Sequence, residues 1–335
     1  MTIMPPFICT TLAKTVGPIA RLLLMAAVMF GCQACFTGIE GTKKITISKE
    51  DRKLLEPTEE EKYLQDISGL QISKWAKGKQ FVIADNRAAQ ILKPIDSARP
   101  VSDIISDTIQ YSHINTYKGY DGKLQYYIIF KHGDDLYRYD TSLSGFANID
   151  DLTSDRLPML IDLDLANEVK NKIVGRHFYL LSSNWLDSTG NRYPGCKYVE
   201  AIIKDVTPAN TVNPLLVKFY VPSENLTGYY PMNYNHEQRG ARTFASLFSF
   251  KDPKKNYSNI TDDNWHLICH GKVNVGMTKN ECRLALGSPD DSTATRDYSS
   301  TIDIWRYADG TVLFFKDGLL TETKIAGEFR QSDNI

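Results

Sequence analysis

Short runs of alternating aromatic and branched residues, cut by Gly, Asp-Gly and Pro, constrain this fold more than any other feature. Eighteen of the 335 residues are tyrosine and fourteen are phenylalanine. Many recur at every second position, the period of a half-buried strand. Residues 125–130 and 135–139 predict a hairpin across His132, Gly133 and Asp134. Residues 78–85 predict a strand after a turn, and residues 88–94 another, stopped by Pro94. Hydrophobic residues make up 42% of the chain, ample for packed cores, and the length suggests two or three domains. A formal net charge of −1 leaves no basic footprint, so nucleic acid is not expected as a partner.

The first 35 residues address location rather than fold. Lys14 and Arg21 precede an apolar run over residues 22–31, and Cys32 and Cys35 follow. A helix of about ten residues spans roughly 15 Å, half of the about 30 Å needed to cross a bilayer core. The segment therefore reads as an export signal, and it resembles a bacterial lipoprotein signal, cleaved before a cysteine that receives diacylglycerol. Ala34 and Gln33 before Cys35 favour that cysteine, with Cys32 after Gly31 as the alternative. A plain signal peptide, fully removed, is the competing reading. Residues 36–62, with Gly38, Gly41, Pro57 and the run Glu59-Glu60-Glu61-Lys62, are expected to be a flexible linker.

The fold expected beyond it is mainly β with a C-terminal α+β domain. Lys77-Gly78-Lys79-Gln80-Phe81 and Val174-Gly175-Arg176-His177-Phe178 share a glycine, a basic residue, a spacer and a phenylalanine. This suggests a duplicated unit: β-barrel module 1 over 63–164 and module 2 over 165–262, each small, partly open and SH3-like. Residues 198–203 and 215–221 supply strands of the second module, and residues 244–250 form a further apolar stretch.

Residues 263–330 carry the clearest local signals. Thr278 and Glu281 form a capping box, Cys282, Ala285 and Leu286 share one helical face, and Gly287 with Pro289 ends the helix. Three strand segments follow, at 302–307, 311–315 and 319–323, turned by Asp309-Gly310 and Asp317-Gly318. Gly276-Met277-Thr278, Leu286-Gly287-Ser288-Pro289, Trp305-Arg306-Tyr307 and residues 314–319 together resemble the SmpA/OmlA (BamE-like) lipoprotein domain. The resemblance implies a helix-plus-three-stranded antiparallel sheet and an accessory scaffold role in outer-membrane β-barrel assembly. The chain as a whole resembles hypothetical Gram-negative envelope lipoproteins.

No motif names a reaction. A Gly-x-Ser-x-Gly elbow, a phosphate-cradling loop and a dinucleotide fingerprint are all missing, so no cofactor and no catalytic residue is assigned. His266 and His270 stand four apart around Cys269, but Gly271 breaks the segment and no third metal ligand is recognisable. Asp150-Asp151 and Asp162-Leu163-Asp164 lack calcium-loop spacing and read as solvated carboxylates. Cys269 and Cys282 are a candidate disulfide in an oxidising compartment, with buried free thiols as the other reading. Tyr229, Tyr230 and Tyr234 are read as an aromatic loop and are the candidate partner-binding residues.

The expected function is therefore a non-catalytic envelope lipoprotein, membrane-anchored and probing a protein partner. Alternatives are a binder of cell-wall glycan and a secreted hydrolase with an unrecognised site. Mass spectrometry of the mature N-terminus is expected to find Cys35 first and acylated; an unmodified first residue overturns the anchor.

Overall fold

A capping box opens the folded chain. The short helix α1 (Glu59–Lys62) starts at Thr58, whose hydroxyl accepts from the Glu61 amide at 3.1 Å. The Glu61 carboxylate accepts in return from the Thr58 amide at 2.7 Å. The computed structural model describes residues 56–120, 122, 124–141, 149–234, 242–296 and 300–324. The expected signal segment and most of the linker, with Cys32 and Cys35, lie outside the described residues. The linker boundary at residue 62 is corrected: Thr58 onward belongs to one compact unit. The reason is packing. Tyr63 lies against Phe178, Phe244 and Phe250, and Leu64 and Ile67 are buried in the core formed by the second sheet. Module 1 therefore does not begin at residue 63, because residues 63–67 pack with module 2.

The described fold is mainly β, with several antiparallel sheets and one half-barrel. The first sheet comprises β1 (Gln80–Ile83), β2 (Leu92–Pro94), β3 (Thr108–Lys118), β4 (Leu124–His132), β5 (Asp135–Asp140) and β6 (Leu160–Asp162). Their order is β2-β5-β4-β3-β1-β6. The hairpin β4–β5 turns at Gly133, which adopts a left-handed φ of 60°. Residues 88–94 are not a single strand. Ala88–Ile91 form a helical turn, α2, that buries Ala88, and pairing begins only at Leu92. Phe81, Ile83, Ile109, Phe130, Tyr137 and Tyr139 are fully buried in the core of this sheet.

Helix α3 (Leu163–Ile173) follows β6 directly and turns Leu165, Ala166, Val169 and Ile173 into the second core. The second sheet comprises β7 (His177–Leu180), β8 (Asn184–Leu186), β9 (Arg192–Pro194), β10 (Glu200–Pro208), β11 (Leu215–Val221) and β12 (Leu226–Met232). After the short helix α4 (Phe244–Leu247), β13 (Phe248–Ser249) closes it. The order is β13-β7-β10-β11-β12-β8-β9.

The two sheets share one connectivity. In each, an opening strand (β1, β7) lies between a closing strand (β6, β13) and a three-strand meander, and an excursion strand (β2, β8) pairs with the meander's last strand. A helical turn precedes the closing strand in both: Ser154–Arg156 in one, α4 in the other. The Gly-basic-x-Phe segments occupy equivalent places. The Gly78 amide donates to the Tyr111 carbonyl and the Tyr111 amide to the Lys79 carbonyl, at 2.8 and 2.7 Å. Gly175, Ile203 and Arg176 repeat this exchange at 2.9 and 3.0 Å. A bulge follows each, after Tyr111 and after Ile203.

One difference between the copies is electrostatic. Lys79 Nζ is 2.9 Å from Asp162 Oδ1, with both side chains at most 3% exposed, and it also reaches Asp164. Asp162 caps α3 as well, accepting from the Asp164 amide at 2.9 Å. Its Oδ2 is buried without a hydrogen-bond partner among the described residues. Arg176, in the equivalent position, lies over the Tyr63 ring.

The third core joins α5 (Asp262–Cys269), α6 (Lys279–Leu286) and a meander of β14 (Asp291–Arg296), β15 (Thr301–Arg306), β16 (Val312–Lys316) and β17 (Leu319–Lys324). The expected three-stranded sheet is thus corrected to four, with a second helix packed beside the first. The added strand β14 is exposed on both faces, so it carries no burial alternation to read. Thr278 and Glu281 form the expected capping box, and Gly287 ends α6 at φ 88°. Among the described residues no helix is long and apolar enough to cross a membrane.

Removing one partner of a buried ion pair leaves a charge without compensation, at about 3–5 kcal/mol. Urea unfolding of Lys79→Met is expected to show a loss of that size. Adding Asp162→Asn, which keeps the helix cap and removes the charge, is expected to restore most of it.

Candidate functional site

The candidate partner-binding tyrosines do not form a loop. Tyr229 and Tyr230 lie in β12, and Tyr234 follows two residues after its end. Tyr230 is fully buried and its hydroxyl donates to the Ser182 carbonyl, while Tyr234 is also buried. Burial pushes both phenols well above the ordinary tyrosine range. Only Tyr229 is half-buried. Pro231 is tolerated within β12 because β8 meets β12 only at Tyr229, so no neighbouring strand on that side reaches the proline. Tyr230 and Tyr234 are core and offer no binding surface, whereas Tyr229 keeps part of its ring at the surface.

His266 lies on α5 and His270 at its C-cap, with ring centroids 4.3 Å apart. His270 Nδ1 is 2.8 Å from the His266 carbonyl and Nε2 is 3.4 Å from Glu224. Among the described residues no three His, Cys, Asp or Glu side chains cluster in a metal-holding arrangement. Asp162 is not a solvated loop carboxylate but is fully buried, whereas Asp164 is solvent-exposed as expected, on the first turn of α3. Asp162 forms the buried ion pair with Lys79, which Asp164 joins from the solvent side, a role hidden in sequence because the lysine lies more than 80 residues away.

Two histidines contact groups that matter in acid–base chemistry. Ser112 Oγ is 3.0 Å from His113 Nδ1, and Asn115 Nδ2 is 3.1 Å from Nε2 of the same ring. His132 Nε2 is 3.2 Å from Asp107, but Arg99 donates to its Nδ1 at 2.7 Å and so occupies the nitrogen a general base would use. Neither histidine lines the groove that follows.

That groove, about 610 Å³, opens where α1, the second sheet and the segment before α5 meet. Glu59, Glu60, Lys251, Phe248, Tyr198 and Tyr257 are among its lining residues. Tyr198 has a left-handed φ of 60°, uncommon for a bulky residue, which ends the approach to β10 and turns its ring onto Trp265. The two rings stack at 5.5 Å between centroids, and Tyr257 lies 5.8 Å from the same indole. Burial raises the Tyr198 phenol above its ordinary value, with smaller contributions from Tyr257 and Cys269. Lys197 fixes the junction, its amide donating to the Cys269 carbonyl at 2.9 Å and its Nζ to the Ala285 carbonyl at 2.8 Å. The groove thus sets rigid aromatic surface beside exposed acidic and basic groups, a combination suited to holding an extended peptide or a sugar. Sequence reasoning missed Tyr198 and Tyr257, which no spacing links. The positive φ at Tyr198 has no sequence signature.

No family model matches this chain, and no curated protein or solved structure matches it.

Cys196, Cys269 and Cys282 are free and buried. Burial pushes their thiols up to about 12, about 11 and about 12. A buried thiol that stays protonated is a poor nucleophile. Iodoacetamide at pH 8 is expected to leave all three unmodified in the native protein and to alkylate all three in urea. Rapid alkylation of any in the native state overturns this assignment.

Proposed function

We propose that this chain is a non-catalytic lipoprotein of a Gram-negative cell envelope, held at the outer membrane by acyl chains on Cys35 and binding another envelope protein in the groove between α1 and Tyr257. The groove carries the reading. It is the place where the second-sheet core, through Phe248, and the third core, through Tyr198 and Tyr257, contribute side chains to one open surface.

Two finer assignments accompany it. The first two sheets are SH3-like modules: an opening strand, an excursion, a three-strand meander, a helical turn and a closing strand on the opening one support this. The last is a BamE-like domain. Its support is the buried Met277 before the capping box, the break at Gly287 and the buried Trp305 under the meander. The scaffold role that such a domain implies fits a body with extensive surface, but fold alone does not fix activity. A second reading, a cell-wall glycan in the same groove, is favoured by the two tyrosines supported on Trp265.

A photo-crosslinking amino acid at Lys251 in intact cells tests the reading. One envelope protein is expected to be captured, and Tyr198→Ala with Tyr257→Ala is expected to reduce capture at least tenfold. Recovery of monomer alone overturns protein binding, and retention on purified cell wall in its place selects the glycan. Replacing Cys32 and Cys35 with Ala is expected to move the protein from the detergent phase to the aqueous phase.

A further inference from the structure

Helix α4 has a cavity on each side. Ala245 and Phe248 face the groove already described, whereas Ser246 and Leu247 line a second cavity of about 280 Å³. The second cavity lies under the β8–β9 hairpin and is lined by Ser182, Asn184, Trp185, Leu186, Arg192 and Arg242 besides those two. Its charged lining residues are both arginines, and none is acidic.

The two arginines are held differently. Arg242 is half-buried, with its guanidinium carbon 5.0 Å from the Tyr230 ring centroid and Nη2 donating to the Asn184 carbonyl at 3.1 Å. No carboxylate among the described residues acts on it, and burial lowers its pKa below the usual arginine value. A guanidinium that is fixed, partly desolvated and without a counter-charge among the described residues is poised to accept an anion. Arg192 stands on β9 opposite Leu186 and is exposed, so it can close over a ligand without cost to the fold. Ser182 and Ser246 complete the lining. The Ser246 hydroxyl spends its proton on the Thr243 carbonyl at 2.8 Å, so it offers an anion no donor and the arginines must supply them.

Size and floor narrow the anion. About 280 Å³ lies at the small end of ligand pockets. Leu186 is the partly exposed apolar residue of the floor, over the buried Trp185 and Leu247. An inorganic oxyanion has nothing to place against that floor. A carboxylate on an aliphatic stem fills both halves.

We propose that this cavity is a peptide-binding subsite that takes a glutamate side chain, with Arg242 and Arg192 gripping the carboxylate and Leu186 at the floor receiving its methylenes. The partner segment is acidic, and the subsite is distinct from the groove across α4. The full-length protein in detergent is titrated by calorimetry with acetyl-Ala-Glu-Leu-amide, acetyl-Ala-Gln-Leu-amide and inorganic phosphate. The glutamyl peptide is expected to bind at least tenfold more tightly than the glutaminyl one, and less tightly as salt is raised. Arg192→Gln, an exposed change that leaves the core intact, is expected to abolish the preference. Equal affinity for the two peptides, a preference surviving Arg192→Gln, no peptide binding, or phosphate binding more tightly than the glutamyl peptide each overturns the proposal. Capture from Lys251 is unaffected by any of these results, so the groove and the subsite stand or fall separately.

Discussion

The buried pair between Lys79 and Asp162 is the joint on which the arrangement of the two larger sheets depends. Lys79 opens the first sheet, and Asp162 is both the last residue of its closing strand and the cap of α3. That helix spends its apolar face in the other core. One carboxylate therefore sets where the first sheet ends, where the helix begins and how the chain passes between cores. Taking two charges out of water gains little net stability even when they are paired. What the pair supplies is position: a strand or helix shifted by one residue would leave a charge stranded in the interior.

The second copy solves the same closure without charge. Its closing strand runs into Phe250, whose ring packs against Tyr63, Phe178 and Phe244, while Phe248 within the strand packs on Phe178 and Phe244. This cluster is why the chain before the first sheet is drawn across to the second core, where Tyr63 also donates from its hydroxyl to the Lys172 carbonyl at 3.0 Å. Trp185 packs beneath the same sheet so closely that a Cβ on Gly195 would fall 2.1 Å from its ring. Glycine at that position is a packing requirement, and it brings the β8–β9 hairpin down over the arginine cavity.

The third core depends on a local device made tertiary. Glu281 accepts from the Thr278 amide and hydroxyl, each at 2.7 Å, and from Asn264 on α5, also at 2.7 Å. Burial alone would raise its carboxyl, but the three bonds together hold it below the usual range. A depressed carboxyl contributes stability above the ordinary glutamate pKa and loses it as pH falls through the lowered value. The capping box thus also ties the two helices together.

The sequence by itself determined what depends on neighbours along the chain. The β4–β5 hairpin, the start and end of α6, and the turns at Asp309-Gly310 and Asp317-Gly318 were all legible, because caps, turns and alternation act over a few residues. The glycine-basic-phenylalanine echo marked equivalent strand entries because the same backbone exchange needs a left-handed glycine, at φ 91° in one copy and 81° in the other. Only the tertiary structure decided which tyrosines are core, since Tyr230 and Tyr198 differ in exposure but not in local pattern. It also decided that Lys79 meets Asp162, that residues 63–67 serve the second core, and that Arg192 and Arg242 share a cavity. Each of these joins residues 50 or more apart in the chain, or a whole segment to a distant core, and burial and charge pairing at such separation leave no periodic mark in a single sequence.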